Sequence, residues 1–178
     1  MKTIFYVALI AIAWVILFQL NMYVFSNLKH NLYTTWVFLP AGLRLVSVLL
    51  VNETAILGIF IGTFIANDLI GIPMQHSLIL SLISAINPYI AIKLSKRLLK
   101  IDDMLSNLTP SNLMVMSLIS SLFNGLSQNL YIVRADLSHK AVSDVLSMFV
   151  GDFLGCLILL YVLSISLKLV RRLNCKQG

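Results

Sequence analysis

Charge is what this sequence has least of. Only 11% of its 178 residues are Asp, Glu, Lys or Arg, where a soluble domain carries about 25%. Hydrophobic residues make up 59% and the mean hydropathy is +0.93. That balance excludes an ordinary water-soluble globule and describes an integral membrane protein. Cysteine is scarce too, with Cys156 inside an apolar run and Cys175 in a basic tail. Two such residues exclude a disulfide framework, and no CxxC pair or other metal-ligand spacing occurs. A buried Cys156 then reads as a small hydrophobe. The sequence also lacks a glycine-rich phosphate loop, an HExxH and a GxSxG. Its three histidines, His30, His76 and His139, fall in expected loops or helix ends and read as polar loop residues. Ser127, after Gly125-Leu126, has no histidine placed to activate it. Hydrolysis, phosphoryl transfer and redox chemistry have no machinery here, so we expect no enzyme and no cofactor.

What is present is six apolar stretches, at residues 4–26, 36–51, 54–72, 76–97, 110–132 and 143–169. A spanning helix needs about 20 apolar residues, and each stretch meets or approaches that length. The expected fold is all-α: one polytopic bundle of about six transmembrane helices, filling residues 1–178 as a single domain. Lys2 and the run from Ile4 to Leu20 could pass for a secretory signal, but the run is long and no small-x-small site follows it. We read it as a retained first helix. Pro40 interrupts the second stretch, and proline is at ease in a helix's first turn. The helix can therefore begin at Pro40, with Trp36–Leu39 as an extended lead-in. Irregular backbone at membrane depth survives only against protein or a watery cavity, so 36–44 is an expected cavity wall. Thr109 or Ser111, flanking Pro110, supplies an ordinary helix start.

The cations set the expected topology. With a cytoplasmic N-terminus, six crossings put nine of the 13 Lys and Arg inside: Lys2, Lys93, Lys96, Arg97, Lys100, Lys168, Arg171, Arg172 and Lys176. Three fall outside, Lys29, Arg134 and Lys140, and Arg44 is embedded. This is the positive-inside asymmetry, and it accounts for the net charge of +6 without nucleic acid. The basic tail can touch anionic membrane lipid. Asp102-Asp103 resembles a metal-diphosphate pair only superficially and reads as a solvated, capping loop.

Arg44 is the most informative residue. A cation at that depth is costly and must face protein and find an acid. With a rise of 1.5 Å per residue, Arg44, Asn124 and Asp152 all lie roughly 12–13 Å below the outer face. Asp68, Asn67, Gln128 and Asn129 form a second tier above them, and Asn87 lies a little deeper. We expect one polar pocket in the outer half of the bundle, with Arg44, Asp68, Asn124, Gln128 and Asp152 as its ligand-binding candidates. Arg44 and Asp152 are its expected pair, and Asp68 is the alternative acid. Buried polar residues also join helices without binding anything, and the sequence leaves both roles open. Gly58, Gly62 and Ala66 line one face of the third helix, and Gly151 and Gly155 line one face of the sixth. Such small-residue faces let backbones approach closely, here expected within the chain.

Two segments carry a family likeness. Trp36-Val-Phe-Leu-Pro-Ala-Gly42, then Leu57-Gly-Ile-Phe-Ile-Gly-Thr-Phe-Ile-Ala-Asn67, resembles the opening of the MASE1 family. Phe149-Val-Gly-Asp-Phe-Leu-Gly155 is similar to that family's late aromatic–Gly-Asp-x-x-Gly helix. The resemblance implies a bacterial inner-membrane sensory module, with Asp152 at a family-type position. The chain is shorter than that family's usual bundle and carries no output domain, so its signal would pass to a cytoplasmic partner protein when a small-molecule ligand occupies the pocket. The length and layout also resemble the substrate-binding subunits of energy-coupling-factor vitamin transporters, whose Ala-x-x-x-Ala pattern is loosely echoed by Ala8, Ala11 and Ala13. A structural subunit of a membrane complex is the third expectation.

Overall fold

A computed structural model describes residues 2–102, 104–138 and 140–174, with side chains through Leu169. The expectations for Asp103, His139, Cys175 and Lys176, and for the side chains of Arg171 and Arg172, lie outside the described residues. The described chain is helical throughout: α1 (Lys2–Val24), a 3-10 turn (Ser26–Leu28), α2 (Pro40–Val51), α3 (Thr54–Leu69), α4 (Met74–Leu98), α5 (Pro110–Arg134) and α6 (Ala141–Asn174). Three helices are long and apolar enough to cross a membrane, at Lys2–Val24, Met74–Leu98 and Ala141–Leu169. α2 and α3 are shorter and apolar.

Local chemistry sets the helix ends. Pro40 opens α2 at a first-turn position, where its missing N–H costs nothing. Residues 36–39 are not helical, as the proline predicts. α2 stops at Asn52, whose φ of 52° leaves the helical region and whose N–H still donates to the Val48 carbonyl at 3.0 Å. α3 ends at Leu69 rather than at 72, because the chain turns through Gly71 at φ 78°. α5 begins as expected, with the Thr109 hydroxyl accepting from the Asn112 N–H at 3.2 Å and Pro110 behind it. In the preceding loop the Ser106 side chain and N–H hold the Asp102 carboxylate below its ordinary range. Asp102 thus caps a turn.

Both small-residue faces are used inside the chain. α3 runs beside α1, with Gly58 against Ile10 and Gly62 against Trp14. A Cβ on Gly62 would come within 2.6 Å of the Trp14 Cβ. The α6 face does something else. A Cβ on Gly151 or Gly155 would first meet the carbonyls of Thr35 and Phe38 in the extended lead-in. The Phe38 N–H donates to the Gly151 carbonyl at 3.0 Å, and the Leu39 N–H donates to Asn21 Oδ1 at 2.8 Å. Unpaired backbone groups away from water are costly. These two bonds are what allow a non-helical segment to sit between α1 and α6.

The apolar core gathers Trp14, Phe18, Leu45, Ile59, Met116 and Cys156. Threaded through it are buried polar side chains, among them Asn21, Ser84, Asn87, Asn124, Asn129 and Asp152. Large apolar side chains point outward instead, including Ile4, Phe5, Leu9, Ile12 and Ile16 on α1 and Tyr161, Val162 and Leu167 on α6.

Candidate functional site

Arg44 sits one turn into α2, and the extended lead-in above it leaves room for its side chain. Its Nη2 donates to Asp152 Oδ2 at 2.6 Å, and its Nη1 donates to Ser84 Oγ on α4 at 3.2 Å. The guanidinium carbon lies 5.8 Å from the ring centres of both Trp14 and Phe38. Arg44 and Asp152 are 3% and 2% exposed. The planar cation is therefore held by an acid, a hydroxyl and two aromatic faces, which suits guanidinium far better than ammonium.

Asp152 is reached from α5 as well. Asn124 Nδ2 donates to the same Oδ2 at 2.6 Å, and Gln128 Nε2 donates to Asn124 Oδ1 at 3.1 Å. Arg44 and Asn124 thus both donate to Oδ2 of this carboxylate, and Asp152 lines a cavity of about 90 Å³. Asp152, Asn124, Gln128 and Ser84 line its floor and side, and Trp14, Phe18 and Phe38 line its apolar wall. Arg44 stands behind this lining. It fixes and neutralises Asp152 without itself reaching the cavity.

Residues 29 and 31–35 line the cavity from the loop side and form its cover. Asn31 Oδ1 accepts from the N–H groups of Tyr33 and Thr34 at 2.8 and 2.7 Å, closing the loop on itself. Three cavity-lining residues carry buried polar atoms with no hydrogen-bond partner among the described residues: Trp14 Nε1, Thr34 Oγ1 and Thr63 Oγ1. Four more lie elsewhere in the bundle, on Ser77, Asn87, Ser121 and Asn129, so the polar character of the cavity rests on Asn21, Asn67, Ser84, Asn124, Gln128 and Asp152 in its lining.

Four of the five sequence-predicted site residues come together: Arg44, Asn124, Gln128 and Asp152. Asp68 does not join them. It is exposed near the end of α3, and Asn67 is the neighbour that turns inward, lines the cavity and donates to Ser81 Oγ at 3.3 Å. Asn129 binds its own helix, donating to the Gly125 carbonyl at 2.8 Å. Asn87 is buried outside the cavity lining. Sequence reasoning missed Asn21 and Thr63 on the cavity wall, and the aromatic face of Trp14.

It also missed a second buried acid. Asp144, in the first turn of α6, is 1% exposed. It accepts from Asn31 Nδ2 at 2.8 Å and from the Ser138 hydroxyl, and lies 3.2 Å from His30 Nε2. The signal for it was a lone acid between Ser143 and Val145 at a helix start. No family model, curated protein or solved structure matches this chain.

Proposed function

We propose that this chain is a MASE1-like membrane sensor or regulatory module, with its ligand cavity in the outer half of the bundle. In this reading the chain crosses a bacterial inner membrane six times with both termini in the cytoplasm. The outward-facing apolar side chains of α1 and α6 fit a lipid surround, and the excess of Lys and Arg on the side of residues 93–100 fits the positive-inside rule. The single observation that carries the functional part is the Asp152 carboxylate, fixed by Arg44 and Asn124 in the lining of a cavity that Asn21, Asn67, Ser84 and Gln128 also line.

The chemistry of the lining favours a small uncharged molecule. Arg44 already neutralises Asp152, so the floor offers hydrogen bonds and little net charge. An ion would leave water without a counter-charge there. A ligand that donates to the Asp152 carboxylate and covers the faces of Phe18 and Phe38 would satisfy the site. It would act by binding one packing of the bundle better than another, since only differential affinity shifts such a balance. A cytoplasmic partner would read the change through the basic end of α4, at Lys93, Lys96 and Arg97.

Native mass spectrometry from lipid nanodiscs tests this. A bound small molecule is expected, with occupancy reduced in Gln128→Ala and Ser84→Ala. Removing one such hydrogen bond weakens binding by about 2–10-fold. A bare protein, together with cross-linking that recovers no cytoplasmic protein, would overturn the reading. A bound ligand whose uptake fails when the chain is deleted would favour the substrate-binding subunit of a transporter instead.

A further inference from the structure

We propose that His30 and Asp144 form a proton-controlled latch on the cover of the cavity. His30 lies within the cover loop, between Lys29 and Asn31, and Asp144 is anchored in α6. Besides its 3.2 Å approach to the Asp144 carboxylate, His30 Nε2 lies 3.1 Å from Ser143 Oγ. Its ring packs edge-on against Trp36 with centres 5.8 Å apart. Asp144 also takes Asn31, the residue that closes the cover's turn, and Ser138 from the loop before α6. One buried carboxylate thus gathers three segments, and among the described residues its ion-pair partner is His30.

Histidine is the side chain whose charge changes between about pH 5 and 8. With His30 protonated, Asp144 has a full counter-charge and the cover is drawn onto α6. With His30 neutral, the carboxylate keeps its two neutral donors but is a buried net negative charge, which is unfavourable. The latch contribution is therefore present at the acid end of that window and lost as pH rises. Other charged or titratable groups on the packed segments are Lys29 and Tyr33 in the same loop, Tyr131 on α5, and Asp136 and Lys140 before α6. Burial, then the nearby Tyr131, pushes the Tyr33 hydroxyl above its ordinary range, so it stays neutral throughout the window. Of the described histidines, His30 is the one in contact with Asp144, while His76 on α4 contacts the Tyr131 hydroxyl at 2.8 Å.

The latch as a control of ligand access rests on the cavity reading above, but its motion can be observed without any ligand. A nitroxide placed on Leu32→Cys, at the cover's exposed tip, with Cys175→Ser to remove the tail thiol, reports local mobility by electron paramagnetic resonance. In nanodiscs the label should be ordered near pH 5 and mobile near pH 8. His30→Asn should abolish that transition, and so should Asp144→Asn. A flat profile in the parent, or a transition that survives in His30→Asn, would overturn the latch. Trp36 supplies an independent check, because its emission should titrate in the parent and not in His30→Asn, with Trp36→Phe as the blank. A transition seen in a protein that native mass spectrometry finds bare upholds the latch and counts against the cavity reading. A ligand-bound protein with a pH-independent label upholds the cavity and ends the latch.

Discussion

Arg44 Nη2 and Asp152 Oδ2 are 2.6 Å apart although the two residues stand 108 positions apart in the chain, and neither side chain reaches bulk solvent. Removing one member leaves the other buried and unpaired, which costs about 3–5 kcal/mol. Asp152→Ala and Arg44→Ala should each lower the thermal unfolding midpoint sharply in detergent. Replacing both with apolar side chains of similar volume, as in Arg44→Met with Asp152→Leu, should recover most of the loss. It should not recover ligand occupancy. That split separates a staple from a ligand-facing pair, because a staple alone would be rescued in every assay.

Gly155 is irreplaceable for a reason unrelated to helix propensity. A Cβ there would fall on the Phe38 carbonyl, a backbone atom that cannot swing aside. Gly155→Ala should therefore cost at least the roughly 1–3 kcal/mol of ordinary overpacking and dislodge the lead-in. Gly125→Ala on α5 is the matched control. Its added Cβ would meet nothing closer than 3.4 Å, and alanine favours a helix over glycine by about 1 kcal/mol. Comparing the two melting curves checks this directly. A destabilised Gly125→Ala with a normal Gly155→Ala would refute the account of how the lead-in docks.

The contrast between Asn67 and Asp68 shows what the sequence could and could not say. Depth was legible, because residues rise evenly along a helix and a cation in an apolar run needs an acid at its own level. That reasoning paired Arg44 with Asp152 and added Asn124 and Gln128. Direction around the axis was not legible for α3. Adjacent residues point about 100° apart, and its apolar residues leave little periodicity to orient it. Asp68 was therefore expected in the pocket that Asn67 lines. The latch residues were missed for another reason: the cover's shape depends on Asn31 closing a turn and on Gly151 and Gly155 admitting the lead-in, where the glycine spacing was legible but the segment it receives was not. Asp68→Asn should leave ligand occupancy and melting unchanged, while Asn67→Leu should reduce occupancy in native mass spectra. Equal effects would place α3 in the wrong rotation.

Asn21 gives a test of the non-helical lead-in itself. Its Oδ1 accepts from the Leu39 N–H at 2.8 Å in a fully buried setting. Asn21→Leu keeps roughly the side chain's size and strands that donor, at a cost of about 1–3 kcal/mol. Asn21→Asp keeps an acceptor but introduces a second acid near the Arg44–Asp152 pair. The leucine variant should speed amide exchange at Leu39, and at Phe38 if the lead-in leaves as a unit, while exchange in the middle of α4 stays slow. Local opening of this kind is expected wherever a segment is held by a few specific bonds and not by a continuous ladder. If Leu39 exchange is unchanged in Asn21→Leu, the lead-in is held by Gly151 and Gly155 alone, and Asn21 serves only the cavity wall.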